Sequence, residues 1–349
     1  MDNYIKNLNS VLIFYGTRPE VIKISPLIIL LIKKKIKFKT VFTGQHTNLF
    51  DDVSHLVPIP DYNFEIDKEK KTLSQKLLLI IEKSNNLLQK TSPKLIIIQG
   101  DTLSALGASI AGFYNQISIG HIEAGLRTFN QKYPFPEEVN RQVISRFSDF
   151  NWAPTTFAKK NLEKEGLKNI KVTGNTVVDI ASKFNFPISY ENKILITIHR
   201  REKFGKSIIK LFNNIDELAK KYKKLSFIFP IHPNPEVIKH KKLFKHVKIV
   251  NSFKYEDLLK LLSKVRFVIS DSGGIQEECA VFRKKILICR KETERNEGVE
   301  CGLAKLVGNK IIENFSWAND NPKWNGTNPY GDGKASERIL YDIEQHLKK

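Results

Sequence analysis

Val11-Leu12-Ile13-Phe14-Tyr15-Gly16-Thr17-Arg18-Pro19-Glu20 is the stretch that decides the fold class. Five apolar residues run without interruption and stop at a glycine. A strand covered by helices on both faces reads this way, because a parallel sheet leaves it no polar side. An apolar-rich stretch follows from Glu20 and predicts a helix, with Pro19 suited to its first turn. Pro26 falls inside that stretch, where it removes a backbone donor, so a kink is expected.

Working outward, the same unit recurs. Residues 39–43, 95–99 and 117–119 read as further strands, each followed by a helix-length segment. The pattern restarts at 193–198 and continues at 225–229, 247–250, 267–269 and 286–288. Strands alternating with helices predict a parallel sheet with helices on both faces. Two such series in 349 residues predict two domains. Pro187 and Asn192 interrupt the periodicity and mark the join. The expected layout is 1–185 for the first Rossmann-like domain and 186–333 for the second. A helix over 334–349 is expected to pack back on the first domain.

Composition narrows the class. Hydrophobic residues are 41% of the chain and charged residues 27%, an ordinary globular balance. No apolar run approaches the ~18 residues of a membrane helix. The start, Met1-Asp2-Asn3-Tyr4, lacks the basic-then-apolar pattern of a signal peptide, so cytoplasmic residence is the default expectation. The formal net charge is +20. Its lysines are spread along the chain without interleaved aromatics, which predicts a solvated surface and no nucleic-acid partner. Cys279, Cys289 and Cys301 form no C-x-x-C pair and are expected to be buried small apolar residues.

In an open parallel sheet, ligands sit beyond the carboxyl ends of the strands. Nearly every strand end here carries a charged or imidazole group. Asp271-Ser272-Gly273-Gly274 follows a strand and opens a helix. Glycines let backbone N–H groups approach an anion, and the helix N-terminus favours negative charge, so this reads as a phosphate cradle. The plainer alternative is an N-cap, with Ser272 capping and the glycines making a tight turn. Glu278, one turn into that helix, is placed to accept from two ribose hydroxyls. Arg18 and Lys23, at the start of the first helix, suit a phosphate or a surface position equally.

Asp101, Glu123 and Glu137 lie near one another in sequence. Carboxylates gathered in a closed cleft acquire raised pKa values and can act as general acid or base, though each alone reads as an N-cap or surface charge. His199 and His232 end strands of the second series and are candidates to donate to phosphates or relay protons. Several look-alikes fail. Gly205-Lys206-Ser207 ends like a P-loop, but Arg200 stands where the earlier glycine is required. No G-x-G-x-x-G follows a strand, and no histidine–acid cluster has metal-ligand spacing. Neither a nicotinamide cofactor nor a metal is expected.

Read together, these strand ends resemble the non-hydrolysing UDP-N-acetylglucosamine 2-epimerases. The matching stretches are GTRPEVIK (16–23), TGQH (43–46), GDTLSALGASIAG (100–112), HIEAGLRT (121–128), PFPEEVNRQ (134–142), VTGNTVVD (172–179), HRRE (199–202), DSGGIQEE (271–278), TER (293–295) and NPYGDGKASERI (328–339). They run nearly the full length in family order.

The resemblance implies a GT-B-like α/β fold of two Rossmann-like doubly wound domains facing a central cleft, a homodimer, and UDP-GlcNAc and UDP-ManNAc as ligands, with no cofactor. It implies removal of the C2 proton, elimination of UDP to 2-acetamidoglucal, and re-addition on the other face. On matched positions Asp101, Glu123 and Glu137 resemble the acid/base group. Arg18, His199, Ser272, Gly273 and Gly274 resemble diphosphate ligands, with His199 also a candidate catalytic group. Glu278 resembles the ribose ligand, and Lys23, His232 and Arg295 resemble further cleft residues. Gln45 and His46 match an allosteric segment of bacterial members, but 67–73 lacks the proline-glycine-glutamine loop that completes it. Lys203 and Asn296 depart from the usual Asn and Pro. The rival readings are a hydrolysing epimerase, an epimerase of a modified UDP-sugar, a GT-B glycosyltransferase and a non-catalytic UDP-sugar sensor.

Overall fold

The uninterrupted apolar runs do form strands buried on both faces. The computed structural model describes residues 11–45, 52–66, 71–199, 205–231 and 234–348. The chain divides into two compact units, Met1–Ile180 with Gly331–Lys349, and Ala181–Tyr330.

The first unit holds seven strands: β1 (Val11–Tyr15), β2 (Phe38–Phe42), β3 (Tyr62–Asn63), β4 (Leu95–Gln99), β5 (Ser118–Ile122), β6 (Phe150–Ala153) and β7 (Ile170–Val172). Their order is β3-β2-β1-β4-β5-β6-β7, and every pairing is parallel. The second unit holds β8 (Lys193–Thr197), β9 (Ser226–Pro230), β10 (Lys248–Val250), β11 (Phe267–Ser270), β12 (Ile286–Ile288) and β13 (Ala304–Leu306). Their order is β10-β9-β8-β11-β12-β13, again all parallel. Both sheets reverse direction beside their first strand, the doubly wound topology that opens a crevice at the carboxyl ends.

The first unit's helices are α1 (Arg18–Lys33), α2 (Leu73–Thr91), α3 (Leu103–Tyr114), α4 (Glu137–Phe147) and α5 (Thr156–Lys164). α6 (Thr176–Lys183) carries the chain into the second unit. There α7 (Lys206–Lys221), α8 (Pro235–Ile238), α9 (Tyr255–Lys264), α10 (Gly274–Val281), α11 (Asn296–Glu300) and α12 (Ile311–Asn319) follow its strands. α13 (Ala335–Lys348) belongs to the first unit and packs on α1. The Asp179 carboxylate accepts from the N–H groups of Ala335 and Ser336 at 3.0 and 2.7 Å, in the first turn of α13. A carboxylate there satisfies orphan donors and complements the helix dipole. Asp342, further along, accepts from Trp152 Nε1 at 2.9 Å and pairs with Lys171 at 2.6 Å.

The structure departs from the sequence reading at several points. α1 begins at Arg18 and continues through Pro26 to Lys33. Proline 26 cannot donate to the Ile22 carbonyl, and the Ser25 hydroxyl donates to it instead at 2.9 Å. His121 lies inside β5, not beyond it. β3, β6, β7 and β13 appear where no strand was expected. Cys279 and Cys289 are buried, but Cys301 is exposed, because it follows the short helix α11 in a surface turn.

Gly120 in β5 shows how tightly the sheet is covered. A Cβ at this position would stand 2.5 Å from two ring atoms of Trp152. That ring is fully buried, stacks on Phe150 at 5.8 Å between centroids, and is held through Nε1 by Asp342. It has no room to retreat. Gly120→Ala is therefore expected to cost about 1–3 kcal/mol and to lower the thermal midpoint. A melting curve superposing on that of the parent would contradict this packing.

Candidate functional site

The loops after β1 and β4 flank the switch point of the first unit, and the acids gather there. Glu123 follows β5 at a φ of 67°, a left-handed conformation that costs a non-glycine residue roughly 1 kcal/mol. It is buried, and both its oxygens accept from Lys23 Nζ, at 2.6 and 2.7 Å. Gln99, the last residue of β4, also donates to it, and Asn175 reaches it at 3.4 Å. Lys23 comes from the second turn of α1, so β4, β5 and α1 converge on one carboxylate.

Asp101 sits in the turn after β4. Its carboxylate pairs with Arg141 at 2.5 Å and its carbonyl accepts from Asn140 at 2.9 Å, both from α4. Glu137 opens α4 and precedes Arg141 by four residues, so it shares the helix face that reaches Asp101. A side chain begun at Gly100 would start 4.0 Å from Glu123 Oε2, which sets the Asp101 turn beside the Glu123 carboxylate. The first unit thus gathers Asp101, Glu123 and the Glu137 face of α4 at neighbouring strand ends.

Sequence reasoning missed several members of this cluster. Arg141, Asn140, Gln99 and Asn175 were not singled out, although Asn140, Arg141 and Asn175 lie in the quoted stretches 134–142 and 172–179. Glu20 was also missed. It is buried and accepts from Gly16 N–H at 3.0 Å, Thr17 Oγ1 at 2.8 Å and Thr102 Oγ1 at 2.7 Å. Burial pushes its carboxyl up from 4.5 to about 7, against the pull of those hydrogen bonds. His121 is fully buried in β5, with Nε2 at 2.7 Å from the Gly100 carbonyl, so the neutral ring carries its proton on Nε2. Burial pulls it down from 6.5 to about 4. A buried strand imidazole adjoining a strand-end carboxylate was the available signal. Glu138, next to Glu137, turns inward and accepts from the N–H groups of Thr128 and Phe129 at 3.0 Å each. Gln45 is engaged by Ser104, whose N–H and hydroxyl donate to it at 3.0 and 2.9 Å.

In the second unit the loops after β8 and β11 flank the switch point. The buried Asp271 carboxylate accepts from the His199 N–H at 3.0 and 3.1 Å, and the His199 ring lies 3.7 Å from it. Asp271 therefore ties the two loops together and leaves His199 partly exposed. Ser272 donates its N–H to Ser270 Oγ at 2.9 Å. The N-cap of α10 is Gly273, with no side-chain cap. The N-cap alternative for Ser272 is thereby set aside. Gln276 N–H bonds back to the Gly273 carbonyl at 3.1 Å, while Gly274 and Ile275 stand at the helix start, where N–H groups have no carbonyl one turn back to bond.

Gly273 has a specific reason to be glycine. A Cβ there would stand 2.6 Å from Arg295 Nη1. Arg295 is buried against this turn, with Nε on Glu277 at 2.8 Å and Nη1 on Glu294. Glu294 also holds Arg290 at 2.9 Å. Glu278 lies one turn into α10 and is buried. Such a helix start, with a bare first turn backed by a guanidinium, can bind an anion through its amides. Arg18, at the first position of α1, is half-buried in the first unit. His46 and His232 lie outside the described residues. Among the described residues, no group of three or more His, Cys, Asp or Glu is arranged around a metal position, and no helix is long and apolar enough to cross a membrane.

Comparison with known proteins identifies the family. A family model described as UDP-N-acetylglucosamine 2-epimerase matches residues 31–344. The UDP-N-acetylglucosamine 2-epimerase of Campylobacter jejuni is 37% identical, over 95% of this chain and 97% of that protein. The crystal structure of UDP-GlcNAc 2-epimerase from Neisseria meningitidis bound to UDP-GlcNAc superposes with a TM-score of 0.89 at 36% identity, covering 96% of this chain and all of that one. The Methanocaldococcus jannaschii UDP-GlcNAc 2-epimerase in complex with UDP-GlcNAc and UDP gives a TM-score of 0.83 at 32% identity, over 96% and 99%. The fold is accordingly the GT-B-like α/β class of these enzymes.

The two buried titrating groups of the first unit oppose each other in acid. Glu20 holds its proton more tightly when folded, so its contribution to stability is complete below about pH 4.5 and is lost as pH rises through 7. His121 holds its proton less tightly when folded, so its contribution is present above about pH 6.5 and is lost as pH falls through 4. Each shift is worth up to roughly 3 kcal/mol. Glu20→Gln should therefore gain stability relative to the parent as pH rises from about 5 to about 8. Denaturant titrations across that range check this. A difference independent of pH would show that Glu20 is not buried as described.

Proposed function

This chain belongs to the UDP-N-acetylglucosamine 2-epimerase family, and from that premise we propose that it is a non-hydrolysing epimerase. It interconverts UDP-GlcNAc and UDP-ManNAc. A base takes the C2 proton, the C1–oxygen bond to UDP breaks, and a C1–C2 double bond forms to give 2-acetamidoglucal. UDP then re-adds at C1 while a proton is delivered to the opposite face of C2. Atoms and electrons balance without an external oxidant, and the cycle consumes no water.

The observation that carries the reading is the gathering of Asp101, Glu123 and the Glu137 face of α4 at the carboxyl ends of β4 and β5. Two proton transfers on opposite faces of one carbon need more than one acid/base group, and a donor site that only binds UDP-sugar needs none. Lys23 neutralises Glu123, and Arg141 orients Asp101, so the cluster can be held closely without mutual repulsion. The second unit supplies the nucleotide ligands in this reading. The first-turn amides of α10 with Ser272, Gly273 and Gly274 receive the diphosphate, His199 adds a donor, and Glu278 accepts from the ribose; Arg18 stays a candidate phosphate ligand of the first unit. Arg295, paired with Glu277 and Glu294, packs behind Gly273 and fixes this turn. These groups stabilise UDP as it departs, which is where negative charge develops. Gln45 and His46 remain candidates for an effector segment, and His232 for a further ligand.

The test is to follow UDP-GlcNAc by NMR in deuterated water. UDP-ManNAc with deuterium at C2, in a reversible mixture, is the expected product. Free N-acetylmannosamine with UDP would establish a hydrolysing enzyme instead, and absence of C2 exchange would sink the epimerase reading for this substrate. Asp101→Asn should slow exchange by at least about 100-fold while UDP binding, measured by calorimetry, is retained.

The protein is also proposed to be a homodimer, with a second copy covering the end of α3. Phe113 and Tyr114 are exposed there, their rings 5.6 Å apart, and Phe113 stacks toward Phe147 at 4.8 Å. Sedimentation should give twice the chain mass, and Tyr114→Glu should give one chain mass. A monomeric parent would refute the assignment.

A further inference from the structure

Among the described residues, Glu20 is the one buried carboxylate at this switch point for which the structure shows a purely neutral set of hydrogen-bond donors. Glu123 has Lys23 and Asp101 has Arg141. Glu20 has a backbone amide and two hydroxyls. An uncompensated carboxylate is costly to bury, and apolar or amide residues would fill the space more cheaply. Its connections explain what the cost secures. One oxygen accepts from Gly16 and Thr17, in the loop between β1 and α1, immediately before Arg18. The other accepts from Thr102, immediately after Asp101. Thr102 in turn accepts from Ala105 N–H at 3.1 Å as the N-cap of α3.

We infer that Glu20 is a positioning residue for the reaction, holding the loop that carries Arg18 in register with the turn that carries Asp101. β1 and β4 are neighbours in the sheet, but their following helices leave in different directions, so no ladder hydrogen bond continues between their loops. The Glu20 carboxylate supplies the missing tie, through Thr102, in addition to the contacts that Asn140 and Arg141 make with Asp101. His121 closes the arrangement by donating to the Gly100 carbonyl on the preceding residue. The Asp101 turn is therefore gripped at Gly100, at its own carbonyl and carboxylate, and at Thr102, each time by a different element. Glu20 touches no substrate in this account and acts only through Thr102 and the Gly16–Thr17 amide and hydroxyl.

The inference rests on Asp101 taking part in the proposed reaction, and its test separates the two. Exchange at C2 of UDP-GlcNAc is measured in deuterated water with the full chain. Glu20→Gln keeps the volume and one acceptor oxygen, but its NH2 cannot accept, so whichever way the amide turns, one side of the tie, Thr102 or Gly16 with Thr17, is lost. A fall of about tenfold in kcat is expected, with KM within about twofold, since small misplacements of a reacting group weigh on the chemical step. Thr102→Val removes the same tie together with the Ala105 cap and is expected to cost at least as much, while Thr102→Ser keeps both the tie and the cap and should retain parent turnover. The double variant Glu20→Gln with Thr102→Val should be no slower than the slower single variant, because both cut one link.

Multiplicative losses in the double variant, or a Glu20→Gln effect confined to KM, would overturn the positioning role. A parent kcat in Glu20→Gln would overturn it as well. If Asp101→Asn itself retains turnover, the reading of the reaction fails rather than this inference. If Glu20→Gln does not fold, the comparison of Thr102→Val with Thr102→Ser decides the same point, since only the former loses the donor to Glu20.

Discussion

Both units depend on one topological constraint, the reversal of winding beside the first strand of each parallel sheet. β1 and β4, and β8 and β11, are hydrogen-bonded neighbours whose onward connections diverge. Side chains at the two carboxyl ends therefore face open space instead of another strand. The functional candidates of the first unit stand at or near such an edge, on the loops after β1, β4 and β5 and on α1 and α4. Those of the second unit stand on the loops after β8 and β11 and on α10. Apolar residues fill the sheets to nearly complete burial, and this leaves the polar groups at the loops free to specialise.

The two edges are built on opposite electrostatic plans. In the first unit, carboxylates are drawn together and held apart energetically by cations brought from helices: Lys23 from α1 against Glu123, and Arg141 from α4 against Asp101. In the second unit, the donors offered to an anion are backbone amides and not a mobile side chain. The first turn of α10 has no side-chain cap, Gly273 admits close approach, and Arg295 stands directly behind it, fixed by Glu277 and Glu294. The first plan suits proton transfer and the second suits an anionic leaving group. The proposed epimerisation needs both, because UDP departs while a proton moves.

The acid cluster was only partly legible in the sequence. Asp101 and Glu123 advertise themselves as polar residues directly after apolar runs. Their partners do not. Arg141 lies 40 residues beyond Asp101, and Lys23 lies 100 residues before Glu123. Nothing in local periodicity connects such pairs. Glu20 and Glu138 were not singled out, yet both are buried and accept from loop donors. His121 looked like a strand-end group and proved to be a strand residue, because a neutral imidazole bonded to a carbonyl can occupy an interior position that a charged one cannot. Strands of two to four residues, such as β3, β6, β7 and β13, carry too few positions for a pattern to register.

The sequence by itself determined the class of fold. The five-residue run at Val11–Tyr15, its glycine stop and its recurrence in two series that alternate with helix-length segments already point to parallel sheets covered on both faces. It also determined where chemistry could sit, because polar residues follow the buried strands. The order of the strands, and hence which loops become neighbours, was decided only by the tertiary structure. That order brings β1 beside β4 and β8 beside β11, so that Glu20 meets Thr102 and Asp271 meets His199. Hydrophobic pattern specifies which face is buried but carries no information about which parallel strand pairs with which. The pairing emerges from packing of whole helices and sheets, and the reach of a carboxylate across a switch point emerges with it.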